Sequence, residues 1–257
     1  MKRKKMEKKN ILLFSFLFFI PHVFAQTGDQ IWTSLFDGKT LNGWMVPSYE
    51  AGRKVDIRDE CIIIGRDDLA LGIKYVKPFP KTNYEITYQA KRAGDSNFFG
   101  AITFPVKESH CSFINGGWNG TVFGLSSING KDASENETTA FYEFENGQWY
   151  QFRVCVSDDR ILVWFYPVDE EGKIIDACKD DLKTTIAKQK EIEKPKIDLV
   201  LEGKSITNRI EVSFFEPLGI SAWYNEGHLR QIKYRKLTSE EIETIKQLPW
   251  NPRAGIE

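Results

Sequence analysis

The sequence predicts an all-β fold: an antiparallel β-sandwich with one short C-terminal helix. Three features carry that reading. Short apolar runs recur along the chain, separated by Gly, Asn and Asp turn signals. Two stretches, 84–91 and 149–156, alternate cleanly between apolar and polar side chains, the period-2 mark of a strand. A clear helix start appears only near residue 238.

The N-terminus reads as a targeting signal. Residues 1–10 are strongly basic, residues 11–20 are apolar apart from Ser15, Pro21 breaks the run, and Val23-Phe24-Ala25 precedes Gln26. A basic region, a short apolar region and small or neutral residues before the cut are the parts of a secretory signal peptide. The apolar run falls short of the ~20 residues that span a bilayer. Residues 1–25 are therefore expected to be removed, leaving 26–257 as a single domain, periplasmic or secreted, with no membrane contact after cleavage.

The strands then follow in order. Residues 31–36 end at Asp37-Gly38, a strong turn dipeptide, and Leu41-Asn42-Gly43-Trp44 forms a further turn closed by an aromatic. Residues 61–64 are a short apolar run stopped by Gly65. In 84–91, Tyr84, Ile86, Tyr88 and Ala90 share one face and polar residues the other, which predicts a half-buried antiparallel strand. Residues 149–156 repeat the alternation, turn at Ser157-Asp158-Asp159 and return as 161–166, apolar on both faces and so expected inside the sheet, with Pro167 ending it. Residues 169–196, rich in Lys with Asp180 and Asp181, read as a short helix or an exposed excursion. Strands resume at 197–201, 210–215, 219–223 and 229–235. Thr238-Ser239-Glu240-Glu241 opens a helix near 239–247, because a hydroxyl before acidic residues satisfies the free N–H groups of the first turn.

Composition narrows function. Hydrophobic residues make up 41% and the formal net charge is -1, so nothing favours a polyanionic partner and no nucleic-acid role is expected. The chain holds three histidines, His22, His110 and His228, of which His22 lies in the signal segment; two remain, too few for a multi-histidine metal site. No nucleophile elbow, zinc-protease, phosphate-loop or dinucleotide fingerprint occurs. Four cysteines, Cys61, Cys111, Cys155 and Cys178, lack metal-ligand spacing, and Cys155 within Arg153-Val154-Cys155-Val156 reads as a buried free thiol. Aromatic content of 13%, with seven tryptophans, suits both a β core and the stacking of sugar rings on indoles.

The centre of the chain, 97–144, gathers the residues with chemistry. Apolar runs at 98–106 and 121–128 flank the turn Asn115-Gly116-Gly117-Trp118-Asn119-Gly120, and the acidic loop 131–139 follows. Glycine in or beside strands marks bulges or close backbone approach. The segment reads either as a tight meander or as a ligand surface built on one.

Three motifs resemble a known family. Trp32-Thr33-Ser34-Leu35-Phe36-Asp37-Gly38-Lys39-Thr40-Leu41-Asn42-Gly43-Trp44 is similar to the opening signature of the bacterial 3-keto-disaccharide hydrolases. Gly147-Gln148-Trp149-Tyr150 resembles their Gly-x-Trp-Asn strand entry, and Leu229-Arg230-Gln231-Ile232 their terminal Phe-Arg-Asn-Ile strand. The resemblance spans the mature chain. It implies a concanavalin A-like jelly roll, export, and action on carbohydrates already oxidised to a ketone at C3. Two departures stand out. Asn97-Phe98-Phe99-Gly100 replaces the family's Asn-Ser-Gly-Ile, and its Glu-x-Gln-x-x-Asp strand is missing; the stretch through His110, Trp118 and 134–139 occupies that place. The chain reads as a divergent branch.

A C3 ketone acidifies the proton on C2, so cleavage needs a base near C2 and a donor at the enolate oxygen. Glu137, His110 and Glu135 are the candidate bases; the same residues also fit a solvated acidic loop and a surface histidine. Asn97, Asn119, Asn136 and Arg230 are candidates for hydroxyl or enolate contacts, and Trp118 and Trp223 for stacking on a sugar. Asp132, Glu135 and Glu137 are the set that would share a divalent cation such as Ca²⁺, although their spacing matches no EF-hand. No other cofactor and no protein metal ligand set is expected. The reading from a different class is a non-catalytic carbohydrate-binding module on the same sandwich.

Overall fold

A computed structural model describes residues 31–47, 54–94, 96–175 and 194–249. Residues 1–25, expected to be a signal peptide, and Cys178 lie outside the described residues, as does most of the 169–196 stretch. Two antiparallel sheets pack face to face. The first runs β13 (Ile197–Val200), β12 (Arg160–Val168), β11 (Trp149–Val156), β6 (Tyr84–Arg92), β15 (Gly227–Lys236), β4 (Cys61–Ile64) and β3 (Val55–Arg58), with β1 (Thr33–Ser34) pairing on β15. The second runs β10 (Ala140–Phe141), β9 (Val122–Ser126), β8 (Ser109–Gly116), β7 (Ala101–Val106), β14 (Gly219–Ala222), β5 (Leu71–Tyr75) and β2 (Trp44–Met45). The chain changes sheet on either side of β2, on either side of β5, between β6 and β7, between β10 and β11, and on either side of β14. Neighbours within each sheet are therefore often distant in sequence, as in a jelly roll.

Alternation explains the core. Tyr84, Ile86, Tyr88 and Ala90 point inward from β6, opposite Tyr150, Phe152, Val154 and Val156 of β11. Aromatic rings fill the space between the sheets: Phe165 lies 5.0 Å from Phe123, 5.2 Å from Phe144 and 5.8 Å from Phe152, centroid to centroid. Two tyrosines reach across the core, Tyr84 Oη donating to Pro105 O at 2.7 Å and Tyr88 Oη to Gly100 O at 2.7 Å. A buried phenol with a partner adds apolar area without an unpaired hydroxyl.

The expected half-buried strand 84–91 is buried on both faces. Glu85, Thr87 and Gln89 are 2%, 7% and 1% exposed. Charge pairing and indoles roof that outer face. Glu85 pairs with Arg153 and Arg235, Thr87 Oγ1 donates to Phe152 O at 2.9 Å, and Gln89 accepts from Arg230 Nε at 2.8 Å. Arg153 lies 4.3 Å over the Trp164 ring and Arg230 4.0 Å over Trp149. Strand β15, last in the chain order, is central in its sheet.

Two element boundaries also differ from the sequence reading. Strand β12 continues past Pro167 to Val168, because Pro167 pairs opposite Tyr150 near the strand end. Residues 210–215 are not a strand: Ile210–Ser213 forms one helical turn. The run Ile-Glu-Val-Ser-Phe-Phe looks alternating, yet Val212 and Phe215, three apart, are the buried pair, while Ile210 and Phe214 face solvent at 77% and 51% exposure. The C-terminal helix Ser239–Gln247 forms where expected. Its capping box joins Thr238 and Glu241, with Glu241 N donating to Thr238 Oγ1 at 3.2 Å and Thr238 N to Glu241 at 2.9 Å. Cys61, Cys111 and Cys155 are buried free thiols. Among the described residues no helix is long and apolar enough to cross a membrane.

Candidate functional site

The outer face of the second sheet carries small residues. One cross-strand row reads Gly219, Thr103, Ser112 and Ser126; the next reads Ser221, Ala101, Ile114 and Gly124. With so little side-chain volume, other segments settle onto the face. Loop 131–139 crosses β9, where a Cβ on Gly124 would come 2.8 Å from Ala133 O. A strap, 207–217, crosses β8, β7 and β14. Phe215 of the strap rests on Gly219, where a Cβ would lie 2.6 Å from Phe215 Cβ. Polar links fix the strap: Ser112 Oγ donates to Asn208 Oδ1 at 2.7 Å, Asn208 Nδ2 to Glu216 Oε1 at 3.2 Å, and Glu216 Oε2 lies 3.2 Å from His110 Nδ1. Under the strap, Phe98, Ala101, Ile114, Ala133, Val212 and Phe215 form a second apolar cluster with Trp223 against it.

A cavity of about 340 Å³ opens beside this cluster. Its floor is Phe98, Ile114, Val212 and Ser126, each at most 5% exposed. Trp118 and Trp223 form its aromatic walls, and Asn97, Asn119, Arg209 and Glu211 its polar rim.

Local backbone places the rim. Gly116, Trp118, Asn119 and Gly120 all have positive φ, at 79°, 45°, 66° and 91°, which is why this turn is built from glycine and asparagine around a single tryptophan. Arg92, buried at the end of β6, lies beneath the turn and donates to Gly94 O at 2.9 Å, Phe144 O at 3.0 Å and Gly120 O at 3.3 Å. The φ of 91° at residue 120 favours glycine, and a Cβ there would also displace the Arg92 guanidinium. Trp118 is left 38% exposed. On the other wall, Trp223 Nε1 donates to Asp68 O at 2.7 Å, which occupies its polar edge and fixes the plane of the indole. Asn97 accepts from Phe98 N at 2.9 Å through Oδ1, and its carbonyl accepts from Asn225 Nδ2 at 2.8 Å.

Arg209 and Glu211 form a forked pair, Nη2 to Oε1 at 2.9 Å and Nε to Oε2 at 3.2 Å. Arg209 Nη1 also binds Asp132 of the acidic loop. The hydrogen bonds from Arg209 hold the Glu211 carboxyl below its usual range, and those from Glu211 push the guanidinium higher. The rim therefore presents a fixed cation beside an ionised carboxylate.

The structure brings together four of the residues chosen from sequence: Asn97, Trp118, Asn119 and Trp223. The others do not line this cavity. Glu137 pairs with Lys204 at 2.6 Å and Glu135 is exposed on the loop. Asn136 braces that loop, its Nδ2 donating to Asp132 O at 2.6 Å, Leu125 O at 2.7 Å and Lys131 O at 3.1 Å. His110 shares the sheet face but points to Glu216 at the far end of the strap. Arg230 belongs to the outer face of the opposite sheet, over Trp149. Asp132, Glu135 and Glu137 do not converge, and among the described residues no group of three or more His, Cys, Asp or Glu is placed to hold a metal ion. Sequence reasoning missed Arg209, Glu211 and Ser126. The signal available was an Arg and a Glu two apart at the end of the polar run 202–209, obscured because 210–215 read as a strand.

The family model for the 3-keto-alpha-glucoside-1,2-lyase-like domain matches residues 31–214. No curated protein matches the chain. Among solved structures, the chain is similar to a protein from Parabacteroides distasonis described as a candidate glycosyl hydrolase (14% identity, 80% of this chain and 94% of that one, TM-score 0.42). It is also similar to the carbohydrate-binding module CBM66 from Bacillus subtilis (11%, 76% and 96%, TM-score 0.41). A third is the exoplasmic/lumenal domain of VIP36 in its Ca²⁺- and Man3GlcNAc-bound form (12%, 80% and 90%, TM-score 0.49).

Proposed function

The chain belongs to the 3-keto-alpha-glucoside-1,2-lyase-like domain family, and on that premise we propose that it is an exported enzyme cleaving 3-keto-glycosides at the strap-covered cavity. The observation that carries the reading is the rim itself: an ionised carboxylate, Glu211, and a guanidinium, Arg209, beside two indoles at one opening.

In this mechanism the sugar ring lies against Trp118 at the mouth, with Asn97 and Asn119 binding its hydroxyls. Glu211 removes the C2 proton. The electron pair left behind forms the C2–C3 double bond, and negative charge passes to the C3 oxygen. Arg209 donates to that oxygen, stabilising charge where it develops. The enolate then collapses. The C3 carbonyl reforms, C1–C2 becomes a double bond, and the C1–O bond breaks with its electron pair going to the leaving oxygen. The proton on Glu211 passes to that oxygen, so the carboxylate is regenerated. Addition of water across C1–C2 gives the hydrolysis product. Release of Glu211 from its fork with Arg209 on substrate entry would raise its basicity as Arg209 turns to the ketone.

Export after Ala25 is part of the same proposal and rests on the basic, apolar and Val-x-Ala pattern of 1–25. The test is incubation of purified protein with a 3-keto-disaccharide and its unoxidised parent. Loss of the leaving sugar from the keto form alone supports the reading. Binding of unoxidised glycans with no turnover of any keto sugar would place the chain among non-catalytic carbohydrate-binding modules.

A further inference from the structure

We propose that the floor of this cavity is an aglycone pocket for an aromatic ring bearing a hydroxyl, with Ser126 Oγ as the hydrogen-bond partner of that hydroxyl. The proposal rests on the elimination reading for where the sugar lies and adds the class of group it carries.

Polarity within the cavity is separated by depth. The polar residues Asn119, Arg209 and Glu211 are at least partly exposed at the rim, whereas Phe98, Ile114 and Val212 are buried at 5%, 4% and 4% exposure. The volume of about 340 Å³ lies at the small end of the ~300–1,000 Å³ of ligand pockets, so the depth holds one ring. A second sugar ring there would carry a hydroxyl on most carbons and meet side chains that cannot pair them, losing the hydrogen bonds it had in water. A flat aromatic ring fits between indole, phenyl and branched aliphatic groups without that loss.

The floor has one polar side chain. Ser126 is fully buried, lines the cavity, and its Oγ has no hydrogen-bond partner. Its neighbours in the same cross-strand row are satisfied: Ser112 Oγ binds Asn208 Oδ1 at 2.7 Å and Thr103 Oγ1 at 2.8 Å. Ser221 Oγ also lacks a partner but does not line the cavity. A buried hydroxyl without a partner beside an apolar pocket costs free energy unless a ligand group completes it.

Affinity for unoxidised glucosides separates binding from leaving-group chemistry. Titration of tryptophan fluorescence with hydroxyphenyl glucoside, phenyl glucoside and maltose should give both aryl glucosides tighter binding than maltose. Hydroxyphenyl should exceed phenyl by about fivefold, the worth of one net hydrogen bond. In Ser126→Ala that ratio should fall to about one. Maltose binding as tightly as phenyl glucoside, or a ratio that survives in Ser126→Ala, would overturn the proposal. Turnover of 3-keto-maltose with no aryl preference in binding would sink this inference and leave the elimination reading standing. Aryl binding with the expected Ser126 dependence, but no turnover of any 3-keto-glycoside, would uphold the pocket and remove the elimination reading.

Discussion

Replacing Arg92 with Met would separate the site from the fold that carries it. The change keeps the aliphatic stem and removes a guanidinium that satisfies the carbonyls of Gly94, Gly120 and Phe144. Hydrogen bonds to charged donors are worth ~1.5–3 kcal/mol each, but burying the cation itself costs several kcal/mol. The net loss should be about 3 kcal/mol. At ~2–4 °C per kcal/mol for a domain of this size, the Tm should fall by about 6–12 °C. Ligand affinity should fall with it even well below the Tm, because the positive-φ turn that presents Trp118 loses its anchor; about tenfold is expected if stacking on that indole is mostly lost. The control is Ile161→Ala, fully buried in β12 and remote from the cavity, which should destabilise by ~2–5 kcal/mol with affinity retained. Urea unfolding and tryptophan quenching by phenyl glucoside measure both quantities. A loss under about 1 kcal/mol with unchanged affinity for Arg92→Met would refute the claim that the buried cation shapes the site.

Glu211→Gln should lower turnover of a 3-keto-glycoside by ~10²–10⁴ while affinity changes little, whereas Glu137→Gln, which removes a partly exposed pair with Lys204, should alter turnover only about twofold; steady-state kinetics on both variants decides between the two carboxylates. Because Arg209 holds the Glu211 carboxyl low in the free protein, the acid limb of kcat/KM should lie below ~4.3, whereas the limb of kcat should lie higher, since substrate releases the fork; a kcat limb as low as that of kcat/KM would contradict that release. Burial pushes the Cys111 and Cys155 thiols from an ordinary 9.0 up to about 12. Between those values the unfolded chain has lost protons that the native state keeps, so stability falls as pH rises through that window, by up to ~1.4 kcal/mol per pH unit for each thiol; urea midpoints that stay level from pH 8 to 11 would contradict this. Thr238→Ala removes the capping-box acceptor and should cost about 1 kcal/mol, read as a lower urea midpoint.

The strands of the first sheet were legible because apolar and polar residues alternate there, with Tyr84, Ile86, Tyr88 and Ala90 turned to the core, and the helix because Thr238 and Glu241 reciprocally cap it. The register between sheets was not, since β14 lies between β5 and β7 through pairings far apart in sequence. The polar face of β6 misled for a related reason: Glu85 is buried only because Arg153 and Arg235 arrive from other strands. At the site, the turn around Trp118 announced itself through its glycines and asparagines. The strap did not. Val212 and Phe215 are buried three residues apart within a run that also fits a strand, so the neighbouring Arg209 and Glu211 were invisible as a pair. Ser126 carries no sequence signal at all; its meaning comes from the lack of a partner in a place only the fold defines.

The most direct test of the central claim follows the proton on C2. A 3-keto-glucoside deuterated at C2 should lose its deuterium to solvent as the glycosidic bond breaks, with a primary isotope effect on the chemical step where proton removal limits it, and Glu211→Gln should slow deuterium loss and cleavage together. Cleavage of the bond with deuterium fully retained at C2 in the released sugar would contradict the account.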